Sequence, residues 1–439
     1  MARAGGYAWF VLTLLTAVYA FNWVDRYLLI ILIEPISTDL GISDTSMGLL
    51  IGFAYALVYS IAGLGIGRLA DHASRKRLIA LAVAGWSAFT MLSGLARGFF
   101  GLAAARASVA VCASGCTPPA YSLISDYFPA HRRGTAIAIY SLGISFGIWI
   151  GLAAGGWLNE HYGWRTTFLV MSAPGLLLAL AVLAGIREPR RGQQDGAAAE
   201  TGYGWREALA LMWRRRAFAA TTLGLALASF GGSGFEMWTS AYLVRTLGMG
   251  TAQVGALSGM VEGSAGILGT LLAGILADCL GRRDERWYLW LPLLGIVAIV
   301  PLEWLFLYHG HGVMLYVSYF LAILGTSSYT APLMALGQLL LPPRLRGLGT
   351  AVMLLFLNII GTGAGSFWVG LVSDLLKSAY GEAALRHAIL SSQVGTLAGV
   401  ACILYAVRRL PLELARIRGG HAVVDGNPRE TGATLEQVG

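Results

Sequence analysis

The sequence predicts an all-α membrane protein of twelve transmembrane helices arranged as two pseudo-symmetric six-helix bundles. Three observations carry that reading. Of the 439 residues, 56% are hydrophobic and only 12% are charged, about half the charged fraction of a soluble chain. The apolar residues come in runs of about 20, the length a helix needs to cross a ~30 Å hydrocarbon core. Finally, two loop landmarks occur twice. Gly67-Arg-Leu-Ala-Asp71-His-Ala-Ser-Arg75-Lys76 returns as Gly274-Ile-Leu-Ala-Asp278-Cys-Leu-Gly281-Arg282-Arg283, and Pro129, Arg133 and Gly134 return as Pro342, Arg346 and Gly347. Such duplication implies two related bundles that face each other and expose a central site to either side in turn.

The spans follow in order. Residues 7–33 form the first, too long for a signal-peptide core and interrupted by Asp25 and Arg26. Residues 46–67, 78–95, 99–124, 134–158 and 167–186 complete the first half. Residues 218–244, 251–276, 287–308, 314–341, 347–372 and 387–407 make the second. The one long polar break, 187–216, divides them six and six. The chain is therefore partitioned into a bundle at 1–187, a linker at 188–216, a bundle at 217–410 and a polar, disordered tail at 411–439. The linker begins with flexible Gly/Gln/Ala/Glu composition. It ends in a short helix with Trp205, Leu209 and Met212 on one face, lying at the lipid headgroups or extending the seventh span.

The formal net charge of +8 is a topology signal and not a nucleic-acid footprint. Arg75, Lys76, Arg77, Arg132, Arg133, Arg214 to Arg216, Arg282, Arg283, Arg286, Arg344, Arg346, Arg408 and Arg409 all fall on one side under strict alternation. The positive-inside rule makes that side cytoplasmic, with both termini there and the protein in the inner (plasma) membrane. The four cysteines give no disulfide or zinc pattern; Cys112 and Cys116, one turn apart, read as helix packing.

Glycines recur every four residues or nearly so: Gly143, Gly147, Gly151 and Gly155 in the fifth span, Gly259, Gly263, Gly266 and Gly269 in the eighth. Gly48, Gly52, Gly63 and Gly65 in the second and Gly361, Gly363, Gly365 and Gly370 in the eleventh are similar. Small residues on one face allow backbones to approach. Ordinary packing within a bundle explains such stripes equally well; because these spans are equivalents under the repeat, the seam between the halves is the expected contact.

The Gly-x-x-x-Asp-x-x-Gly-Arg-(Arg/Lys) pattern resembles the signature loop of the major facilitator superfamily. Gly67, Asp71, Arg75 and Lys76 match it, while Ser74 replaces its Gly; the second copy keeps Gly281. Gly163-Trp164-Arg165-Thr-Thr-Phe168 resembles that family's opening of the sixth helix. Within it the chain is most similar to spinster-like transporters, through Asn22-Trp-Val-Asp25-Arg26-Tyr27, Asp126-Tyr-Phe-Pro129 and Gly370-Leu-Val-Ser373-Asp374. An antiporter-type motif in the fifth span is partial: Gly155-Gly156 is present and its Pro is absent. The resemblance implies the major facilitator fold and a latch. In it Gly67, Asp71, Arg75, Asp126, Arg133, Asp278 and Arg282 hold the halves together when the cavity opens outward. Asp71 would meet the start of the eleventh helix, and Arg75 would pair with Asp126.

An ionised side chain at the bilayer centre costs ~2.5–3.5 kcal/mol even on lenient scales, so each needs a partner or a function. Asp25, Arg26, Arg106, Glu236 and Glu262 fall within spans of both halves. Asp25, Glu236 and Glu262 are candidates for carrying a coupling proton. Arg26 and Arg106 suit an anionic group, because guanidinium pairs with carboxylate or phosphate. Asn22, Tyr121, Trp149, Trp238, Tyr329 and Asn358 are polar-tipped candidates for the cavity wall. Glu303 is expected nearer the surface and solvated. A static ion-pair cluster holding helices together is the structural alternative for Asp25 and Arg26, and for Glu262.

The function expected is proton-coupled secondary transport of an amphipathic organic anion, lysolipid-like by resemblance, through a monomer in the bilayer and without a cofactor. A multidrug or small-metabolite carrier is the alternative within the same class. A membrane-embedded lipid-modifying enzyme is the rival from another, yet no His-Glu-x-x-His or Gly-x-Ser-x-Gly occurs. A channel lacks any filter sequence.

Overall fold

The computed structural model describes residues 5–189, 205–342 and 345–424. Among these, all regular structure is helical, as hydrocarbon requires of a chain that cannot leave backbone groups unpaired. The first half contains α1 (Gly6–Ile31), α2, α3 (Arg75–Ser93), α4, α5 and α6. Helix α2 runs through Asp44–Gly48, a π turn at Leu49–Phe53 and Ala54–His72; α4 is Phe99–Ser114 followed by Thr117–Tyr127. Helices α5 and α6 share the continuous stretch Ala130–Gly185, broken only at Gly163, whose φ of 77° only glycine adopts readily.

The second half contains α7 (Arg216–Leu247), α8 (Thr251–Gly281), α9 (Trp287–His309), α10 (Val313–Ser328 and Thr330–Leu339), α11 and α12. Helix α11 joins Arg346–Phe356, a π turn at Leu357–Ala364 and Gly365–Tyr380; α12 joins Ala384–Ser391 and Gln393–Val424. The last helix thus continues through Pro411 to Val424, where the sequence predicts a polar tail. The linker helix Trp205–Arg214 buries Ala208 and Met212 against the second half, so its apolar face meets protein.

Three apolar cores show how the halves meet. One, built on Trp86, Phe128 and Tyr140, draws only on the first half; another, built on Phe218, Leu333 and Met353, draws on the second half and the linker helix. Both lie toward the arginine-rich face. The third, at the opposite face, mixes Val24, Ile51 and Leu152 with Trp238, Val254 and Val369. The two halves are therefore fused at one face and separate at the other.

Glycines build the fused end. A Cβ on Gly52 would lie 2.8 Å from Gly363 O, and one on Gly48 2.7 Å from Ser366 O, so α2 and α11 touch backbone to backbone. Gly156 and Gly255 do the same for α5 and α8, each placing a Cβ 2.2 Å from a carbonyl of the other helix. Gly259 also faces α5, at Trp149. The fifth-span ladder differs from the expectation: Gly143, Gly147 and Gly151 pack on Thr16, Ala20 and Val24 of α1, inside the first half. Gly361 and Gly365 likewise pack on α7, at Ser229 and Phe230. Four-residue spacing identifies a close contact and leaves its partner helix open.

Gly156→Val should force the α5–α8 seam apart, at about 1–3 kcal/mol of overpacking strain. Spin-label distances between the ends of α5 and α8 at the opposite face should lengthen; an unaltered distribution would show that the contact is not a closed seam.

Candidate functional site

Between the halves lies a cavity of about 590 Å³, within the range of small-molecule sites. It is walled by α1, α5, α7, α8, α10 and α11. Its ionisable lining is Arg26, Glu236 and Glu262, joined by Tyr27, Tyr329 and Asn358. Most remaining positions are small or apolar, including Ile144, Ile148, Gly266 and Ile323.

Each carboxylate is held by a tyrosine. Tyr27 Oη donates to Glu236 Oε1 across the two halves, linking α1 to α7. Tyr319 Oη donates to Glu262 Oε1 at 2.6 Å, while Glu262 Oε2 is buried without a partner. Arg26 is held differently. Its Cζ lies 5.2 Å from the Trp23 ring and 5.3 Å from the Tyr55 ring, and its Nε is buried without a hydrogen bond. Cation–π contact of this kind is worth about 0.5–2 kcal/mol, less than a carboxylate partner would supply. Among the described residues Arg26 has no ion pair, so it stands as a positive group with unused donors at the cavity wall.

Arg106 is already committed. Its Nη1 lies 3.1 Å from Asp25 Oδ2 and 3.2 Å from Oδ1, and Thr90 Oγ1 donates to the same carboxylate. Asp25 and Arg106 are 4% and 2% exposed and lie outside the cavity lining. They tie α1, α3 and α4 together within the first half, the arrangement of a structural ion pair. Removing one partner of such a pair costs about 3–5 kcal/mol.

Other candidates separate likewise. Trp238 is fully buried with Nε1 donating to Ser366 O at 2.9 Å, so it cements α7 to α11. Trp149 covers Gly259 and Gly263 on the α5–α8 seam and is half exposed. Tyr121 packs edge-on to Tyr140, and half-buried Asn22 also lies outside the lining. Glu303 is completely buried, contrary to the solvated position expected for it. Span depth alone placed it near the surface; the packing of α9 on α12 covers it.

At the arginine-rich face, Arg75 joins three elements of the first half. It pairs with Asp126, binds Glu188 at 2.8 Å and donates to Ser122 Oγ and Pro189 O. Partial burial pushes the Glu188 carboxyl up, but hydrogen bonds from Arg75, the Lys76 amide and Ser74 outweigh it and hold the group below the usual carboxylate range. Its contribution is present at neutral pH and is lost as pH falls through that lowered value. Arg133 donates to Ser125 O and Phe128 O. In the second half Asp278 accepts from Tyr288 Oη at 2.9 Å and Arg282 is exposed. The Asp71 side chain and the surroundings of Gly67 lie outside what is described.

The opposite face carries a polar clamp that sequence reasoning missed. Arg245, at the end of α7, binds Asp44 through Nη1 at 2.7 Å and Nη2 at 2.8 Å, and Glu34 through Nε at 2.9 Å. Asp374, at the end of α11, accepts from the backbone N–H of Asp44 and Thr45 at 3.2 and 2.8 Å, and from Thr45 Oγ1 at 2.6 Å. It thereby caps the start of α2. Glu160, at the end of α5, accepts from Ala252 N at 2.6 Å and so caps the start of α8. A carboxylate at a helix N-terminus is worth about 0.3–1 kcal/mol, up to ~2 when partly buried. A signal was available: Gly156-x-x-x-Glu160 and Gly370-x-x-x-Asp374 repeat the Gly-x-x-x-acid spacing of Gly67–Asp71 and Gly274–Asp278. In each clamp the glycine admits the first residue of the partner helix, Thr251 or Asp44, and the acid one turn later receives its N–H groups.

The model of the Major Facilitator Superfamily matches residues 15–366. A crystal structure of a bacterial homologue of the human lysosomal transporter Spinster, inward-facing and unoccupied, superposes with a TM-score of 0.85 at 27% identity. It covers 93% of this chain and 98% of its own. An MFS-type efflux pump of Mycolicibacterium smegmatis is 34% identical over 385 residues, 87% of this chain and 88% of that one. A Danio rerio protein named as a sphingosine-1-phosphate transporter is 24% identical over 281 residues, 60% of this chain and 56% of its own.

Asp374→Asn weakens one helix cap, and Arg245→Ala removes two ion pairs. Together they should shift the balance of open and closed forms at the opposite face by at least about tenfold, since 1.4 kcal/mol is a factor of ten. Labelling of single cysteines placed on α2 and α11 at that face should accelerate accordingly. Equal labelling rates in variant and parent would remove the clamp's role in closure.

Proposed function

Because the chain belongs to the major facilitator superfamily and is a spinster-like transporter within it, we propose that it is a secondary carrier working by alternating access. Its substrate is an amphipathic organic anion of lysolipid type, exchanged against or moved with protons. The arginine-rich face is cytoplasmic and the described conformation is inward-open, as in the inner-membrane topology that the loop charges dictate.

The observation that carries this reading is the pairing of one uncommitted guanidinium with two tyrosine-held carboxylates in a cavity closed at one end only. Arg26 offers its donors to a carboxylate or phosphate head. The apolar stretches of α5, α8 and α10 receive a chain or ring system. Glu236 is the proton carrier best placed for coupling. It lines the cavity, and its Tyr27 hydrogen bond crosses between the halves, so protonating it alters a contact that the transport cycle must remake. Glu262, with one oxygen unanswered, is the second carrier. Asp25 contributes by holding Arg106 in place.

A multidrug or small-metabolite carrier is the second reading, favoured by the name of the mycobacterial efflux relative. Lysophosphatidylglycerol and sphingosine-1-phosphate, tested beside uncharged amphiphiles and a cationic dye, separate the two. Arg26→Ala should weaken binding of the anionic lipids about 10–100-fold, the equivalent of one charge-assisted hydrogen bond. Thermal-shift titration measures this, and loss of the dye's response instead would favour the multidrug reading. Glu236→Gln should abolish uptake driven by a pH gradient in proteoliposomes while substrate counterflow persists. Undiminished pH-driven uptake in that variant would remove Glu236 as the carrier.

A further inference from the structure

Helix α7 carries two adjacent glycines beside the cavity. A Cβ on Gly232 would lie 3.1 Å from Tyr329 Oη, on the cavity wall. One on Gly231 would lie 2.0 Å from Thr396 Oγ1 and 2.9 Å from Gln393 Oε1, on the far side of the helix. A single bare stretch of backbone therefore separates the cavity from a second polar cluster. Its members are Glu303 of α9 and Gln393 and Thr396 of α12, at 0%, 2% and 0% exposure.

Gln393 Nε2 donates to Glu303 Oε2, and that is the only hydrogen bond the three side chains make among the described residues. Glu303 Oε1, Gln393 Oε1 and Thr396 Oγ1 are all buried without a partner. No arginine, lysine or histidine of the described residues pairs with Glu303. Gly231 faces the cluster from α7, Gln393 and Thr396 face it from α12, and Tyr329 of α10 is the titratable group within electrostatic reach. Helix α12 tightens here: Ser392 keeps helical dihedrals (φ −64°, ψ −18°), and the Ser392 and Gly395 amides donate three residues back, to Ile389 O and Ser392 O, at 3.1 and 3.0 Å.

A bare carboxylate held in this environment costs several kcal/mol. Three buried oxygens lacking donors, one of them a carboxylate's, make surroundings that a small cation completes. We propose that Glu303, Gln393 and Thr396 bind one small monovalent cation, a proton or Na⁺, at a site separate from the central cavity. Gly231 and Gly232 leave the thinnest wall between that site and the cavity. The assignment stands whether or not Glu236 carries a proton.

The test is the thermal unfolding midpoint of the whole protein in nanodiscs, with NaCl or choline chloride at equal ionic strength. In choline, raising the pH empties the site, and the parent should lose about 2 °C or more relative to Glu303→Gln. Glu236 and Glu262 titrate in both proteins and cancel in the comparison. If Na⁺ is the occupant, NaCl restores the parent's midpoint at alkaline pH and Thr396→Val weakens that restoration. If the proton is the occupant, NaCl has no effect and Gln393→Leu alters the pH response. Parent and Glu303→Gln sharing the same pH and Na⁺ dependence would overturn the site, and so would an unaltered response in both Thr396→Val and Gln393→Leu.

Discussion

The cost of an unanswered charge in hydrocarbon organises this molecule. Arg106 is answered by Asp25, Arg75 by Asp126 and Glu188, and Arg245 by Asp44 and Glu34. Those pairs lie in the interior of one half or at a helix end, where they fix position. Among the described residues Arg26 has only ring faces, Glu262 one hydroxyl and Glu303 one amide. In a medium where leaving charges exposed costs several kcal/mol, an incompletely answered group implies a ligand that completes it. The distinction between satisfied and unsatisfied charge therefore separates scaffold from site more sharply than depth along a span does.

This explains what the sequence could and could not disclose. The twelve spans rest on hydropathy and length, both local properties, and the described helices follow them closely; residues 190–204 of the break that divides them lie outside the described residues. Arg75 beside Asp126 was expected because the resemblance to the major facilitator superfamily implies that pair, and the structure forms it. The division of labour between Arg26 and Arg106 was not. Both are arginines at comparable depth, and only helix rotation decides that one turns toward Asp25 and the other toward Trp23 and Tyr55. Rotation also decides the fate of Trp149 and Trp238, which cover seams, and of Glu303, which α12 encloses. The fifth-span glycines show the same limit, since period four marks a face without stating which neighbour it meets.

The two faces of the protein use one device in two settings. At the arginine-rich ends of α2 and α8 stand Gly67-x-x-x-Asp71 and Gly274-x-x-x-Asp278; at the opposite ends of α5 and α11 stand Gly156-x-x-x-Glu160 and Gly370-x-x-x-Asp374. The second pair is engaged: its glycines admit Thr251 and Asp44, and its acids cap α8 and α2. At the other face, among the described residues, Asp278 rests on Tyr288 of its own half. An acid can satisfy a helix N-terminus only when the halves are in contact at its own end. In the proposed cycle, rocking the bundles about the cavity would exchange one set of caps for the other, each worth about 0.3–2 kcal/mol. With bond types matched at the two ends, the open and closed forms of that cycle would differ by a small remainder, which a single ion pair such as Arg245 with Asp44 is able to tip.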